Sequence, residues 1–375
     1  MNEQSTEYYI GLMSGTSLDG LDGALIAINK YKSGAWDINL ISRAHSLLPT
    51  DLSHSLNQIC ISQDVTLSAL GQCQVQLANL SAALVKQLLQ QSEMKAEMIT
   101  AIGSHGVTIG HYPLHAFPFT LQIGDASYLA ELTGIDVICD FRMADIAAGG
   151  QGAPLVPPFH RAIMAENDDV VMLNLGGIAN ITVLKSGDEV TGYDTGPANT
   201  LLNLWCQQHL GTPYDDKGKW ASSGKLNRVL LDSLMEESFF TLSPPKSCGR
   251  ELFHLNWLNK HLAEFNIEIA VEDVQCTLTH LTAKSVANEI KKQGKIKKVF
   301  VCGGGAHNEF LMDTLAGYLS DISVASTQEL GVDPDYMEAM AFAWLAHQRV
   351  HGLTANLPSV TGALKHKVLG AWYHK

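Results

Sequence analysis

Apolar residues along this chain gather in short runs that break into turns of small polar residues, and the break has the same form twice. Tyr9, Ile10 and Leu12 run into Ser14–Asp22, a stretch of Gly, Ser, Thr and Asp among leucines, and Ala24–Ile28 leads out again. Residues 170–184, VVMLNLGGIANITVL, repeat the plan around Gly176 and Gly177 and leave through Ile181 and Val183. An apolar run, a small-residue turn and a second apolar run predict a β-hairpin. Two such hairpins far apart in one chain predict a duplicated α/β architecture, each lobe turning one hairpin toward an interlobe active-site cleft. Two further runs, ITAIGSHGVTIGHYP (99–113) and IKKVFVCGGGAHNEFLMDTLAGYL (296–319), read as strands entering glycine-bearing loops. The second continues into a helix capped by Asn308 with Phe310, Leu311, Leu315 and Leu319 on one face. Helical spacing also predicts a helix capped by Asp273, with Val274, Leu278, Leu281 and Ile290 inward and a stop at Gly294. A third helix is predicted from a capping box of Asp335 and Glu338 to Gly352. Pro and Gly crowd residues 150–160, which sets the expected division at 1–155 and 156–375, with the segment from about 350 packing back on the first lobe.

Length and composition agree with two lobes, because 375 residues exceed what one core usually serves. Hydrophobic residues at 46% and charged residues at 17% supply a large core and exclude a disordered chain. A net charge of −13 with no basic stripe excludes nucleic-acid binding by phosphate neutralisation. An anionic ligand is then held locally, by backbone amides, helix N-termini and a few placed cations. The start MNEQSTEYYI has no basic region followed by an apolar one, and no long uncharged apolar run occurs; both predict a soluble, cytoplasmic protein without a membrane partner. Seven cysteines without a CxxC pair argue against a disulfide framework or a zinc site and for buried thiols.

Turns rich in Gly, Ser and Thr present backbone N–H groups and hydroxyls at the range that phosphate oxygens need. A single turn of this kind can equally be only a tight turn. VCGGGAHNEF lacks the G-x-G-x-x-G spacing of a dinucleotide fingerprint, which leaves a nicotinamide dehydrogenase as a weak alternative, and no Walker A motif occurs.

Eight stretches in order carry a more specific resemblance: GLMSGTSLDGLDGAL, GSHGVTIGHYP, DFRMADIAAGGQGAPLVPPFH, LNLGGIANIT, YDTGPANTLLN, PPKSCGRELF, DVQCTLTHLTA and CGGGAHN. Over residues 10 to about 348 they resemble the anhydro-N-acetylmuramic acid kinases, a family of the sugar kinase, actin and heat-shock chaperone superfamily. The resemblance implies a two-lobed actin-like (ribonuclease H-like) fold. It implies ATP-dependent opening and phosphorylation of 1,6-anhydro-N-acetylmuramic acid in peptidoglycan recycling. It also implies an ATP loop at Gly15, Thr16, Ser17, Leu18, Asp19, Gly20, Leu21 and Asp22, a second phosphate turn at Gly176 and Gly177, and an adenosine loop at Gly303, Gly304 and Gly305. The wider superfamily places an Asp where this chain has Met13, and the second hairpin carries Asn174. Mg²⁺ is implied with ATP, its protein ligands unassigned; Asp19 or Asp22 acts through water or caps the turn.

Opening the anhydro bridge by water calls for a carboxylate that accepts a proton, and Asp194 of GYDTGPAN is the candidate, ahead of a helix with Asn199 as cap. Its alternative role is a turn-forming residue. The lactyl carboxylate of the sugar calls for a cation, and Arg142 is the candidate; its alternative is a salt bridge to Asp140 or Asp145. Glu338 and Asp125 are further candidate sugar contacts, although capping already accounts for Glu338. His105 and His111 have no third ligand and receive no metal. A chaperone-like ATPase, a kinase for an open sugar and a sugar sensor stay as rival readings, and an assembly of two copies is compatible with all of them.

Overall fold

The computed structural model describes residues 6–375 except 16–17, 19, 31–35, 63–64, 165–168, 188, 245, 250–251 and 265–268. It divides into two compact units, residues 1–165 with 336–375 and residues 166–335. The first unit contains β1 (Glu7–Met13), β2 (Gly20–Lys30), β3 (Trp36–Leu47), α1 (Thr50–Ser62), α2 (Leu67–Gln91) and β4 (Ile99–Ser104). It continues through β5 (Val107–Tyr112), β6 (Phe119–Ile123), α3 (Ala126–Thr133), β7 (Val137–Cys139), α4 (Met143–Ile146) and α5 (Pro157–Ile163). The second unit holds β8 (Val170–Leu175), β9 (Ile178–Leu184), β10 (Thr191–Pro197), α6 (Asn199–Leu210), α7 (Lys219–Ser223), α8 (Arg228–Met235) and α9 (Leu255–Ala263). α10 (Val271–Lys292), β11 (Lys298–Cys302), α11 (Glu309–Tyr318) and β12 (Ser323–Ser326) complete it. The chain then returns to the first unit as α12 (Met337–Val350), α13 (Pro358–Thr361) and β13 (Ala371–Tyr373).

One topology is used twice. The first sheet runs β13-β7-β4-β1-β2-β3 and the second β10-β9-β8-β11-β12. In each, three antiparallel strands from consecutive hairpins are extended on the far side by parallel strands, β4 and β7 in one and β11 and β12 in the other. This is the duplicated α/β arrangement that the two glycine hairpins predicted. Both hairpins form, with the first return strand starting at Gly20 rather than Ala24 because Gly20 already pairs with Leu47. The first core gathers Ile10, Leu12, Leu25, Ile102 and Val137 from the sheet against Leu84, Val85 and Leu88 of α2. The second sets Val171, Leu173, Val299 and Val301 against Val286 and Ile290 of α10 and Leu311 and Leu315 of α11.

The expected division near 155, with return near 350, is corrected by α12. A Cβ on Gly11 of β1 would lie 1.8 Å from the Ala339 carbonyl oxygen, and one on Gly103 of β4 would lie 2.1 Å from that of Phe342. Two glycines in neighbouring strands therefore let the α12 backbone settle onto the first sheet, where Ala339, Phe342, Ala343 and Ala346 are buried. The pull of that buried face on the whole helix moves the return point forward to Tyr336.

Three predicted caps are also corrected. α10 begins at Val271 behind Ala270, and Asp273 instead accepts from the Lys225 N–H at 2.6 Å. α6 is preceded by Ala198, while Asn199 turns its amide to the Leu175 carbonyl at 2.8 Å. α12 begins behind Tyr336 with no side-chain cap, and Asp335 pairs with His307 at 2.9 Å. The Asn308 cap is present, accepting from the Leu311 N–H at 3.0 Å; Leu311, Leu315 and Leu319 are buried while Phe310 is only half-buried. None of the seven cysteines is in a disulfide; four are buried and three half-buried. No helix among the described residues is long and apolar enough to cross a membrane.

Candidate functional site

In the first unit the buried Arg142 is held by His105 and by the Gly152 carbonyl. β4 ends at Ser104, and the next residue, His105, is 5% exposed with its N–H on the Leu12 carbonyl of β1 at 3.0 Å. The Arg142 Nε–H donates to His105 Nε2 at 3.0 Å, so the ring proton resides on Nδ1, which donates to the Gly106 carbonyl at 2.9 Å. Burial, reinforced by the Arg142 charge, holds the His105 pKa well below 6.5, and the ring is a neutral bracket for the guanidinium. Arg142 Nη1 donates to the Gly152 carbonyl at 2.8 Å. Burial lowers the Arg142 pKa to about 10, opposed by the nearby Glu338 carboxylate, so the group stays cationic at neutral pH.

Neither salt bridge considered for Arg142 forms. The buried Asp145 carboxylate is occupied by Asn356 Nδ2 at 2.7 Å, the Thr361 hydroxyl at 2.8 Å and the Gly152 N–H at 2.8 Å. Asp140 stands at a positive φ of 53° and accepts from the backbone of Met143. What faces Arg142 is Glu338, in the first turn of α12. Burial raises the Glu338 pKa above 4.5, Arg142 pulls it down, and the charge of Asp22 pushes it up again. Glu338 thus feels two charges, the cation of Arg142 and the carboxylate of Asp22.

Asp22 follows from the hairpin register, opposite Met13 on β1 and His45 on β3, and its Oδ1 takes the His45 ring nitrogen at 2.7 Å. A Cβ at Gly20 would fall 2.1 Å from that imidazole, so a larger residue there would displace the His45 ring from Asp22. In the turn, the Ser14 hydroxyl donates to the Gly20 carbonyl at 2.9 Å and the Leu18 N–H to the Gly15 carbonyl at 3.3 Å. Leu18 and Leu21 bury their side chains in the core, which leaves only their backbone to a ligand. Thr16, Ser17 and Asp19 lie outside the described residues. Asp125 caps α3, accepting from the Tyr128 N–H at 2.9 Å.

The second unit brings its two glycine loops together. Gly303, at a φ of 80°, has no room for a Cβ, which would lie 2.4 Å from Asn174 Oδ1, and one on Gly305 would lie 2.5 Å from Leu175 Cβ. The 303–305 loop therefore rests directly on the end of β8. Across the following turn, the Gly176 carbonyl accepts from the Asn199 N–H and the Gly177 carbonyl from Ala198 and Thr200, each at 3.0 Å. The turn is thereby tied to the start of α6, where no acidic side chain occupies the first turn.

Asp194 is on β10 opposite Asn180, beside a bulge that shifts the register before Gly196. The extended segment at 246–248 holds it from one side. The Asp194 N–H donates to the Lys246 carbonyl at 3.2 Å, and the Cys248 N–H donates to Asp194 Oδ2 at 3.0 Å. Lys246 is itself anchored in the interior, its side chain 2% exposed, with Nζ on Glu289 Oε1 at 3.0 Å and 4.8 Å from the Phe239 ring centroid. Burial would raise the Glu289 pKa, but Lys292 and Lys246 overcome it and hold the carboxyl below 4.5. The Tyr193 hydroxyl completes the network, donating to Glu289 Oε2 at 3.1 Å.

The sequence reading missed this support. His105 was read as an ordinary loop or core histidine, and Lys246 and Glu289 not at all. One signal existed: Glu289 continues the inward stripe of Val274, Leu278, Leu281 and Ser285, where an acid requires a buried partner.

A family model described as anhydro-N-acetylmuramic acid kinase matches residues 7–375. The anhydro-N-acetylmuramic acid kinase of Vibrio cholerae serotype O1 is 49% identical over 371 residues, covering 98% of each chain. That of Pasteurella multocida is 46% identical over 376 residues, covering 100% of this chain and 98% of the relative. Among solved structures, component A of the Acidaminococcus fermentans (R)-2-hydroxyglutaryl-CoA dehydratase is similar at a TM-score of 0.47 and 11% identity, over 92% of this chain and 99% of that one.

Proposed function

The chain belongs to the anhydro-N-acetylmuramic acid kinase family, and on that footing we propose how its residues divide the reaction. It is a phosphotransferase of amino-sugar recycling that uses ATP. With water, ATP converts 1,6-anhydro-N-acetylmuramic acid into N-acetylmuramic acid 6-phosphate and ADP. Asp194 accepts a proton from the water as its oxygen bonds to the anomeric carbon. The bond from that carbon to the bridging oxygen breaks, the oxygen takes the γ-phosphoryl group, and ADP leaves. Because phosphorus captures the departing oxygen, no separate acid is needed to protonate it.

The observation that carries this reading is the fixing of Asp194. One carboxylate oxygen is pinned by the Cys248 N–H at 3.0 Å, and that segment is anchored by the buried Lys246–Glu289 pair. A base held from behind in this way keeps its aim without mobile side chains.

Arg142 binds the lactyl carboxylate of the sugar. Its Nε–H and one Nη are committed to His105 and Gly152, which presets the guanidinium plane. Glu338 accepts from sugar hydroxyls. Gly176, Gly177 and the start of α6 receive phosphate oxygens, Gly303–Gly305 the adenosine, and Gly15–Asp22 the remaining phosphate contacts. Mg²⁺, where bound with the nucleotide, would supply positive charge against its phosphates. Asp22, at the end of that loop, would hold the cation through water. ATP as co-substrate favours a cytoplasmic enzyme.

Incubation with ATP and the anhydro sugar tests the reading. Strictly sugar-dependent ADP release is expected, with a product heavier than the sugar by one water and one phosphoryl group. A product without the water mass would replace it by an ordinary sugar kinase.

A further inference from the structure

We propose that the start of β1 and the end of α12 form a binding site for one divalent transition-metal ion of the zinc class, made by Glu7, His347 and His351. Among the described residues these three are the one group of three His, Cys, Asp or Glu side chains offering ligand atoms within 4.8 Å of one another. His347 and His351 are four apart on α12 and so share a face, with ring centroids 4.4 Å apart. His351 Nε2 lies 2.9 Å from Glu7 Oε2, already inside the roughly 3.3 Å that two ligands of a tetrahedral ion keep. Where the His351 ring proton now bridges to Glu7, an ion takes its place on Nε2 and the ring keeps its proton on Nδ1.

The groups behind the ligands are in position as well. The Tyr9 hydroxyl donates to the same Glu7 oxygen at 2.5 Å, and the Tyr9 ring meets His347 edge-on at 5.3 Å between centroids. His347 Nδ1 is 3.0 Å from the Gln348 amide nitrogen; turning that amide so that its oxygen faces the ring lets Nδ1 carry the proton and leaves Nε2 for the ion. Two imidazoles and one carboxylate suit a borderline ion such as Zn²⁺ better than Mg²⁺ or Ca²⁺. Glu7 and His351 are each about a third exposed, which gives the ion a route in and leaves room for water in its coordination sphere. The site lies in the first unit, at the opposite end of α12 from Glu338, and ties the strand that opens the sheet to the helix covering it.

The test is a Zn²⁺ titration of the EDTA-stripped full chain by calorimetry, with thermal unfolding followed in parallel. One equivalent should bind and raise Tm. Glu7→Gln and His351→Ala should each weaken binding at least about tenfold and abolish the rise. His374→Ala, a surface histidine elsewhere, should leave both unchanged. Co²⁺ in the unmutated chain should show visible absorption typical of nitrogen ligation, a readout that needs no variant. Absence of saturable Zn²⁺ binding, or binding of equal strength in Glu7→Gln and His351→Ala, would overturn the site and would leave the kinase reading untouched.

Discussion

The Arg142 group and the Asp194 segment hang on sheets of the same strand order, yet their charges are held by contrary means. In the first unit the cation leans on a neutral ring and a carbonyl beside the buried Glu338, whose ionisation the charge of Asp22 opposes. In the second, a buried Lys–Glu pair is satisfied before Asp194 is reached, and Asp194 meets the 246–248 segment through backbone N–H and C=O groups. Unsatisfied charge suits recognition, because an anionic or hydroxyl-bearing ligand supplies the missing partner on arrival. A closed network suits positioning, because nothing in it has to rearrange when the ligand comes. The difference predicts that damage to the first group appears in substrate affinity and damage to the second in turnover.

The largest effect is expected from Asp194→Asn. Loss of a general base should lower kcat by about 10²–10⁴-fold, with ATP and sugar dissociation constants little changed by calorimetry. Weakened binding with retained kcat would erase the comparison. Next is Lys246→Met, which leaves Glu289 with Lys292 and Tyr193 but without its buried lysine and should cost about 1.5–3 kcal/mol of stability in denaturant titration. Where the variant stays folded at low temperature, kcat should fall while KM for the sugar holds, and Lys246→Arg should recover part of it. Arg142→Lys removes the fork that His105 and Gly152 orient. It should weaken sugar binding by about 1.5–3 kcal/mol, seen as a raised KM, with ATP affinity retained.

The smallest effects concern pH. Burial pushes the His160 pKa down to about 3, and His105 is also held well below 6.5, both in the first unit. The unfolded chain takes up protons near pH 6.5 that the folded unit refuses. Their contribution is therefore present above pH 6.5 and lost as pH falls. In the second unit, Glu289 has a lowered pKa, and its contribution is lost only as pH falls from 4.5 downward. Half-buried His280 there gives a weaker loss from 6.5. Hydrogen exchange should show the first sheet losing protection before the second as pH falls from 6.5 to 5. Glu338 runs the other way: with a raised pKa, its contribution is greatest below pH 4.5 and declines as pH rises through the folded value. Glu338→Gln should accordingly gain stability over the unmutated chain in alkali and lose that advantage in acid.

Much of the frame was legible because period and glycine placement are local properties. Gly176–Gly177 and Gly303–Gly305 stood where small residues interrupt apolar runs, and the Asn308 cap and the α10 stripe followed from spacing. Caps failed where a tertiary demand outbid the local one. Asp335 and Glu338 fit a capping box by spacing, but α12 enters through Tyr336 at φ −106°, which frees Asp335 for His307 and leaves Glu338 beside Arg142. The supports of the two groups were illegible for a plainer reason. His105 meets Arg142 across 37 positions and Lys246 meets Glu289 across 43, and no sequence spacing records such encounters.

The role given to Asp194, activation of water against carbon rather than phosphorus, is tested most directly in H₂¹⁸O. A single turnover of ATP and the anhydro sugar, quenched before the hemiacetal exchanges with solvent, is read by mass spectrometry. The account predicts one ¹⁸O on the anomeric carbon and none in the phosphate. Label in the phosphoryl group would contradict it.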